Sequence, residues 1–279
     1  MDRNLRLQSR CEILLINSIP YRWTSAVAVL GVGGMIRFGY PFPEHQLLPF
    51  ETATLILFSF TILIYQYDSI ALTGNPLKDL PNAWKNKRIL FFSFFTALAC
   101  CALSIVALPP HLHQEMIVGL FLVTLYFLPL KWIRFFLDQV HLIRWAFLTA
   151  LIGGAGVIIA GTTESLPNAL PLVAPLIIGN LMVCDFRDSQ VDRIDPKRNE
   201  LSTAIHVLQK QLLFLFTLTI GIVILIYQWH EISPEYWILG HLMGFAMLWF
   251  ACHQRAQPWK VTLLADTALF VPCPVLLLT

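Results

Sequence analysis

Apolar residues in this chain come in long unbroken runs, and polar residues are gathered into short stretches between them. A strand would alternate every second residue, and a surface helix of a soluble protein would keep one polar face. Neither pattern dominates here. Nine runs are long enough, or nearly so, to cross a bilayer core, which takes about 20 apolar residues as helix. They are roughly 12–36, 50–67, 89–109, 115–130, 145–162, 169–184, 211–229, 236–252 and 261–279. Several are near the short limit, so the helices are expected to continue into the flanking polar segments. The pattern predicts an all-α polytopic membrane protein, one domain over residues 1–279 with nine transmembrane helices. Composition removes the competing reading of buried helices in a large soluble protein. Hydrophobic residues make up 57% and charged residues 13% of the 279, too much apolar surface for a soluble fold to cover.

Charge orients the spans. With a cytoplasmic N-terminus, only Arg22, inside the first run, and Arg37, in an outer loop, lie away from the inner side among the 19 Lys and Arg residues. The opposite orientation reverses the count, so the positive-inside rule decides. The first run has no compact core followed by a small-residue cleavage site, and is expected to stay as an uncleaved span. The net charge of +2 reflects this asymmetry and gives no reason to expect nucleic acid. The six cysteines contain no Cys-x-x-Cys pair and read as small apolar packing residues. The inner loops 68–88, 131–144 and 185–210 are long and the outer ones short, which puts function on the inner side.

The candidate chemistry sits where an apolar run meets the third inner loop, in Asn180-Leu-Met-Val-Cys-Asp185-Phe-Arg-Asp188-Ser-Gln-Val-Asp192. Spacings of three and four put Asp185, Asp188 and Asp192 on one helix face. Three carboxylates on one stripe repel unless a cation offsets them, and hard oxygen donors suit Mg²⁺ shared with a bound phosphate. The competing reading is a solvated helix end. The first inner loop also opens on an acid, in Tyr65-Gln-Tyr67-Asp68. Spans two and six therefore both end in acid on the cytoplasmic side, which suggests two related halves.

These features resemble the UbiA superfamily of intramembrane aromatic prenyltransferases. That family has nine helices around a central cavity and two Asp-rich motifs, after helices two and six. Its second motif, Asp-x-x-Asp-x-x-x-Asp with an upstream Asn and a downstream Thr-Leu-type segment, is similar to Asp185, Asp188 and Asp192 with Asn180 before and Leu201-Ser-Thr203 after. Tyr126-Phe-Leu-Pro-Leu-Lys131-Trp-Ile-Arg134 looks like the family's loop after helix four, with the Tyr-to-Lys spacing longer by one, and Trp145 suits the start of helix five. The first motif departs from the family's. Asp68 is in register, but Ile64 stands where the family has Asn and Leu72 where it has Asp. Asn75-Pro-Leu-Lys78 resembles the Arg-Pro-Leu segment, with Lys78 for the Arg.

The resemblance implies transfer of a prenyl group from a prenyl diphosphate to a small aromatic acceptor. Asp68, Asp185, Asp188 and Asp192 would act as catalytic Mg²⁺ ligands, and Lys78, Tyr126, Lys131, Arg134 and Asn180 as substrate-binding residues. It implies a multi-pass protein of a bacterial inner membrane, in contact with membrane lipid, with its site facing the cytoplasm. Physically, ionising an allylic diphosphate leaves an anion that metal and Lys or Arg neutralise. Two other readings stay open: a terpene cyclase of the same fold, and a non-catalytic lipid-binding relative.

Outside this set, Asp266 lies within the last run. It is a functional candidate by default, set against plain interhelical hydrogen bonding. Glu12 and Arg22 pose a similar question at the first run. His111 and His113 read as a solvated outer loop. Gly31, Gly33 and Gly34, and Gly153, Gly154 and Gly156, read as close helix contacts.

Overall fold

The computed structural model describes residues 23–40, 48–72, 87–110, 112–114, 116–119, 121, 141–160, 166–192, 218–219, 221–222, 226, 234–253 and 258–276. Among them every regular element is a helix: α1 Trp23–Gly39, α2 Phe50–Leu72, α3 Lys87–Val106, α4 His141–Ala160, α5 Leu166–Asp192, α6 Pro234–His253, α7 Pro258–Phe270 and α8 Pro272–Leu276. The chain is all-α over the described residues. The helices fall on the expected first, second, third, fifth, sixth, eighth and ninth runs. Helical residues at 116–119 and 121, and at 218–219, 221–222 and 226, lie within the expected fourth and seventh.

As the short runs required, helices continue into polar sequence. α2 passes Asp68 to Leu72, and α5 starts at Leu166 and continues through Asp192. At about 1.5 Å per residue, the 27 residues of α5 span about 40 Å. Its segment Pro167–Cys184 is long and apolar enough to cross a membrane, and shorter apolar helices cover Thr24–Gly39, Phe50–Ile64, Phe95–Val106, Trp145–Gly156 and Val261–Leu276. The last run differs from expectation. It is two helices, α7 and α8, because Pro272 has no N–H to offer the Ala268 carbonyl. The last amide of the α7 pattern is Val271, which donates to the Thr267 carbonyl at 2.9 Å.

α1 is the central helix. It packs against α2, α4, α5, α7 and α8, while α5 also meets α4, α6 and α7. The main core lies where α1, α5, α6 and α7 converge, around Val32, Ile36, Leu172, Leu176, Ile177, Phe245, Leu248 and Ala265. Gly31 permits the closest crossing. A Cβ there would lie 2.5 Å from the Phe270 Cα and 2.6 Å from the Leu269 carbonyl oxygen, backbone that no rotamer change can move. Gly154 departs from the expected glycine contacts, since nothing lies within 4 Å of where its Cβ would be.

The outward faces are as apolar as the inward ones. α6 buries Trp237, Phe245, Leu248 and Ala251, and exposes Leu239, Leu242, Met243, Trp249 and Phe250. α3 packs mainly on α2 and exposes Phe92, Phe95, Leu98, Leu103 and Val106, the last at 82%. A helix that is hydrophobic all round belongs in a large core or in lipid.

Candidate functional site

Interhelical contacts set the helices in register and define two ends of the bundle. At one end, Trp237 Nε1 donates to the Gly39 carbonyl at 2.9 Å. One turn further along α6, His241 Nε2 lies 2.8 Å from the Leu172 carbonyl oxygen of α5. Towards the other end, Ser25 Oγ donates to Asp266 Oδ2 at 3.2 Å, and Asn180 Nδ2 donates to the Ala265 carbonyl at 2.7 Å. Ala26 packs there with Ile62 of α2 and Ala97 of α3. From the Gly39 level to the Ser25 level, α5 therefore advances from Leu172 to Asn180. α2 advances likewise from Leu57, which lies against Gly33, to Ile62.

Both acid-bearing helix ends follow from this register. Asp68 is six residues beyond Ile62, about 9 Å of helix, and Asp185 is five beyond Asn180, about 7 Å. The structure brings the helix positions of Asp68, Asp185, Asp188 and Asp192 to the same end of the bundle. The last three share one face of a continuous helix. α1 and α4 each pack on both α2 and α5, so the two acidic ends flank them. Lys87 and Arg88 at the start of α3, Arg144 in the first turn of α4, Arg187 on α5 and Lys260 on α7 lie at this end too. Glu51, Glu235 and Arg37 lie at the other.

Arg37 corrects its expected place in a loop. It is in the last turn of α1, donates from Nη1 to the Leu48 carbonyl at 2.6 Å, and stands 5.6 Å from the Phe50 ring centroid. His113 is likewise more than a solvated loop residue, since its Nε2 lies 3.2 Å from the Ile105 carbonyl oxygen. Lys78, Tyr126, Lys131 and Arg134 lie outside the described residues, as do Cys11, Glu12, Arg22 and His111. The side chains of the four acids also lie outside them. Among the described residues no group of three His, Cys, Asp or Glu could hold a metal ion.

Asn180 is the one expected substrate-binding residue whose side chain is described. It is 6% exposed. Besides its bond to α7, its Oδ1 accepts from Cys184 Sγ at 3.8 Å. Its amide thus ties α5 to α7 one turn before Asp185. Asp266 is buried at the same level, bonded to α1 through Ser25. Together the two side chains form a polar layer joining α1, α5 and α7 beneath the acidic end. Buried polar groups need such partners, because an unpaired one costs about 1–3 kcal/mol.

Sequence reasoning overlooks Ser25 and His241. His241 is findable, because an ionisable residue inside an apolar run is a candidate in its own right. Ser25 carries no local signal, since its meaning lies in a partner on another helix.

Compared with family models, with curated proteins and with solved structures, the chain matches none.

Proposed function

We propose that the chain is a polytopic membrane prenyltransferase of the UbiA type. It moves a prenyl group from a prenyl diphosphate to a small aromatic acceptor at the acidic end of the bundle. The observation that carries this reading is the common end. Three acids on one face of α5 and a fourth acid position near the end of α2 lie beyond the same polar layer, with basic positions around them. A membrane setting is supported by the apolar outward faces of α3 and α6 and by the length of α5. The gathering of Lys87, Arg88, Arg144, Arg187 and Lys260 at one end supports a cytoplasmic site, since that leaflet attracts basic residues.

The donor set fits Mg²⁺, which takes carboxylate oxygens and keeps positions for phosphate. Asp185, Asp188 and Asp192, with Asp68, would hold it. Its chemistry there is neutralisation of the diphosphate as the allylic bond ionises. Lys78, Lys131 and Arg134 would add donors to the same anion. Asn180 would act through position, holding the α5 segment that carries Asp185 against α7.

A second reading, a non-catalytic lipid-binding relative, is favoured by Ile64 and Leu72 in place of a polar and an acidic residue. A cyclase would use the prenyl chain as its own acceptor. One experiment separates them. The purified chain in lipid nanodiscs is given prenyl diphosphate, Mg²⁺ and a panel of aromatic acceptors, and released diphosphate and lipid products are measured by mass spectrometry. Release that requires an acceptor supports transfer, and release without one supports cyclisation. Binding with no release under any condition defeats the enzyme reading.

A further inference from the structure

Arg37 breaks the charge pattern of the chain. Of the 19 Lys and Arg residues, only it and Arg22 fall away from the side where the others gather, against the bias that keeps basic residues together. It sits in the last turn of α1, at the end of the bundle opposite the acids, and it is held in place. Its Nη1 donates to the Leu48 carbonyl at 2.6 Å. The guanidinium carbon stands 5.6 Å from the centroid of the Phe50 ring, and that ring packs on Phe38 with centroids 5.9 Å apart. A carbonyl and a ring orient the cation without neutralising it, and among the described residues no ion pair does so. Its remaining N–H groups keep the planar fork that matches phosphate.

Glu51 supplies the opposite charge beside it. It is exposed in the first turn of α2, close enough for its carboxylate to act on Arg37 electrostatically. Phe50 next to it is 51% exposed, and Leu55, one turn further along the same face as Glu51, is 42% exposed. A cation, an anion and an apolar strip leading away from them therefore meet at one corner of the bundle. We propose that this corner binds the headgroup of a zwitterionic phospholipid, with the Arg37 guanidinium on its phosphate, the Glu51 carboxylate on its primary ammonium and an acyl chain along Leu55.

The charge balance selects this occupant. An anionic lipid would satisfy Arg37 and be repelled by Glu51, whereas a headgroup carrying both signs meets both side chains. A primary ammonium donates to a carboxylate in a charge-assisted bond, which a quaternary ammonium without N–H groups cannot form. The depth agrees. Tyr40 follows α1, and Trp237 Nε1 donates to the Gly39 carbonyl at the same end, so Phe38, Tyr40, Phe50 and Trp237 gather where aromatic belts meet the membrane boundary. The inference rests on the membrane setting of the proposed function and uses none of its prenyl chemistry. The competing role for Arg37 is purely structural, fastening α1 to the chain that enters α2 through the Leu48 carbonyl.

The test is native mass spectrometry of the full chain in detergent, titrated with phosphatidylethanolamine, phosphatidylglycerol and phosphatidylcholine of identical acyl chains. Wild type should bind the ethanolamine lipid about 10-fold more tightly than the other two, the effect of about one charge-assisted hydrogen bond. Arg37→Lys keeps a donor for Leu48 but has no fork to span carbonyl and phosphate. It should fold and still lose about 10-fold in affinity for the ethanolamine lipid, as should Arg37→Gln. Glu51→Gln, at an exposed position, should weaken the ethanolamine lipid and strengthen the glycerol one. A wild type that binds the three lipids alike overturns the proposal, as does an unchanged preference in Arg37→Lys or Glu51→Gln. If neither Arg37 variant folds, the wild-type preference and Glu51→Gln decide. Glycerophosphoethanolamine, the same headgroup without acyl chains, should not displace the lipid at equal concentration, and displacement would make the occupant a soluble phosphate ester and overturn the lipid assignment. No readout uses prenyl diphosphate, so failure of this site and failure of the transferase reading are separate results.

Discussion

α5 and α2 run in the same direction and end in acid at the same end of the bundle, but they are held very differently. α5 is packed on four sides, by α1, α4, α6 and α7. It is pinned through Asn180 just before its acids and keeps three carboxylates on one face. α2 packs on α1, α3 and α4, with α3 turning bare apolar side chains outward beyond it, and it carries one acid where the resembling family carries several polar positions. A shared metal site needs ligands fixed to fractions of an ångström. The difference teaches where that fixing is available: among the described residues α5 has it through four packed neighbours and the Asn180 tie, more fully than α2.

The largest effect should come from α5. Asp188→Ala removes the middle carboxylate of the stripe and should weaken Mg²⁺-dependent binding of prenyl diphosphate by about 100-fold or more, since even partners behind a metal ligand are worth about 10–100-fold. Calorimetry with and without Mg²⁺ checks this, and unchanged affinity in the variant would break the comparison at its stronger side. Asp68→Asn on α2 should lower turnover by about 10-fold or more while leaving membrane insertion and thermal stability intact. An active Asp68→Asn enzyme would mean that α5 alone holds the diphosphate.

Asn180→Leu should cost about 0.6–1.7 kcal/mol, the scale measured for interhelical hydrogen bonds in a membrane protein. It should reduce turnover in step with any shift of α5 against α7. Unfolding in mixed detergents reads the first effect, and a stable but unaltered enzyme would show that the tie does not position the acids. The smallest effect is expected from Leu72→Asp, which restores an acid at the end of α2. Diphosphate binding should stay level or rise. A clear fall would mean that a carboxylate at position 72 repels the diphosphate without sharing its metal, and would break the register that relates α2 to the first motif.

Much of this architecture is legible in the order of the amino acids. The long runs mark the helices because a segment with apolar residues on every side has one stable secondary structure in an apolar setting, the helix that satisfies its own backbone. The acid stripe is legible because three- and four-residue spacings define a helix face wherever a helix forms. The break at Val271 and Pro272 is also written in the sequence, in a proline that sits inside an apolar run and cannot continue the hydrogen-bond ladder. Run length alone passes over it, because proline is apolar enough to leave the run intact.

What the residues do not state alone is pairing. Nothing in the local sequence relates Ser25 to Asp266 or Asn180 to Ala265, because these partners are 241 and 85 residues apart and depend on which helices become neighbours. The same holds for His241, whose two carbonyl partners have no side-chain signature. It holds for Gly31 and Gly154, identical in sequence terms, of which one sits under the α7 backbone and the other faces open space. Periodicity and composition act within a helix, so the sequence by itself determined the helices, their apolar character and the faces their acids share. Contacts between helices depend on packing of the whole bundle, so only the tertiary structure decided that the ends of α2 and α5 meet at one end, that a polar layer lies beneath them, and that a histidine joins α5 to α6.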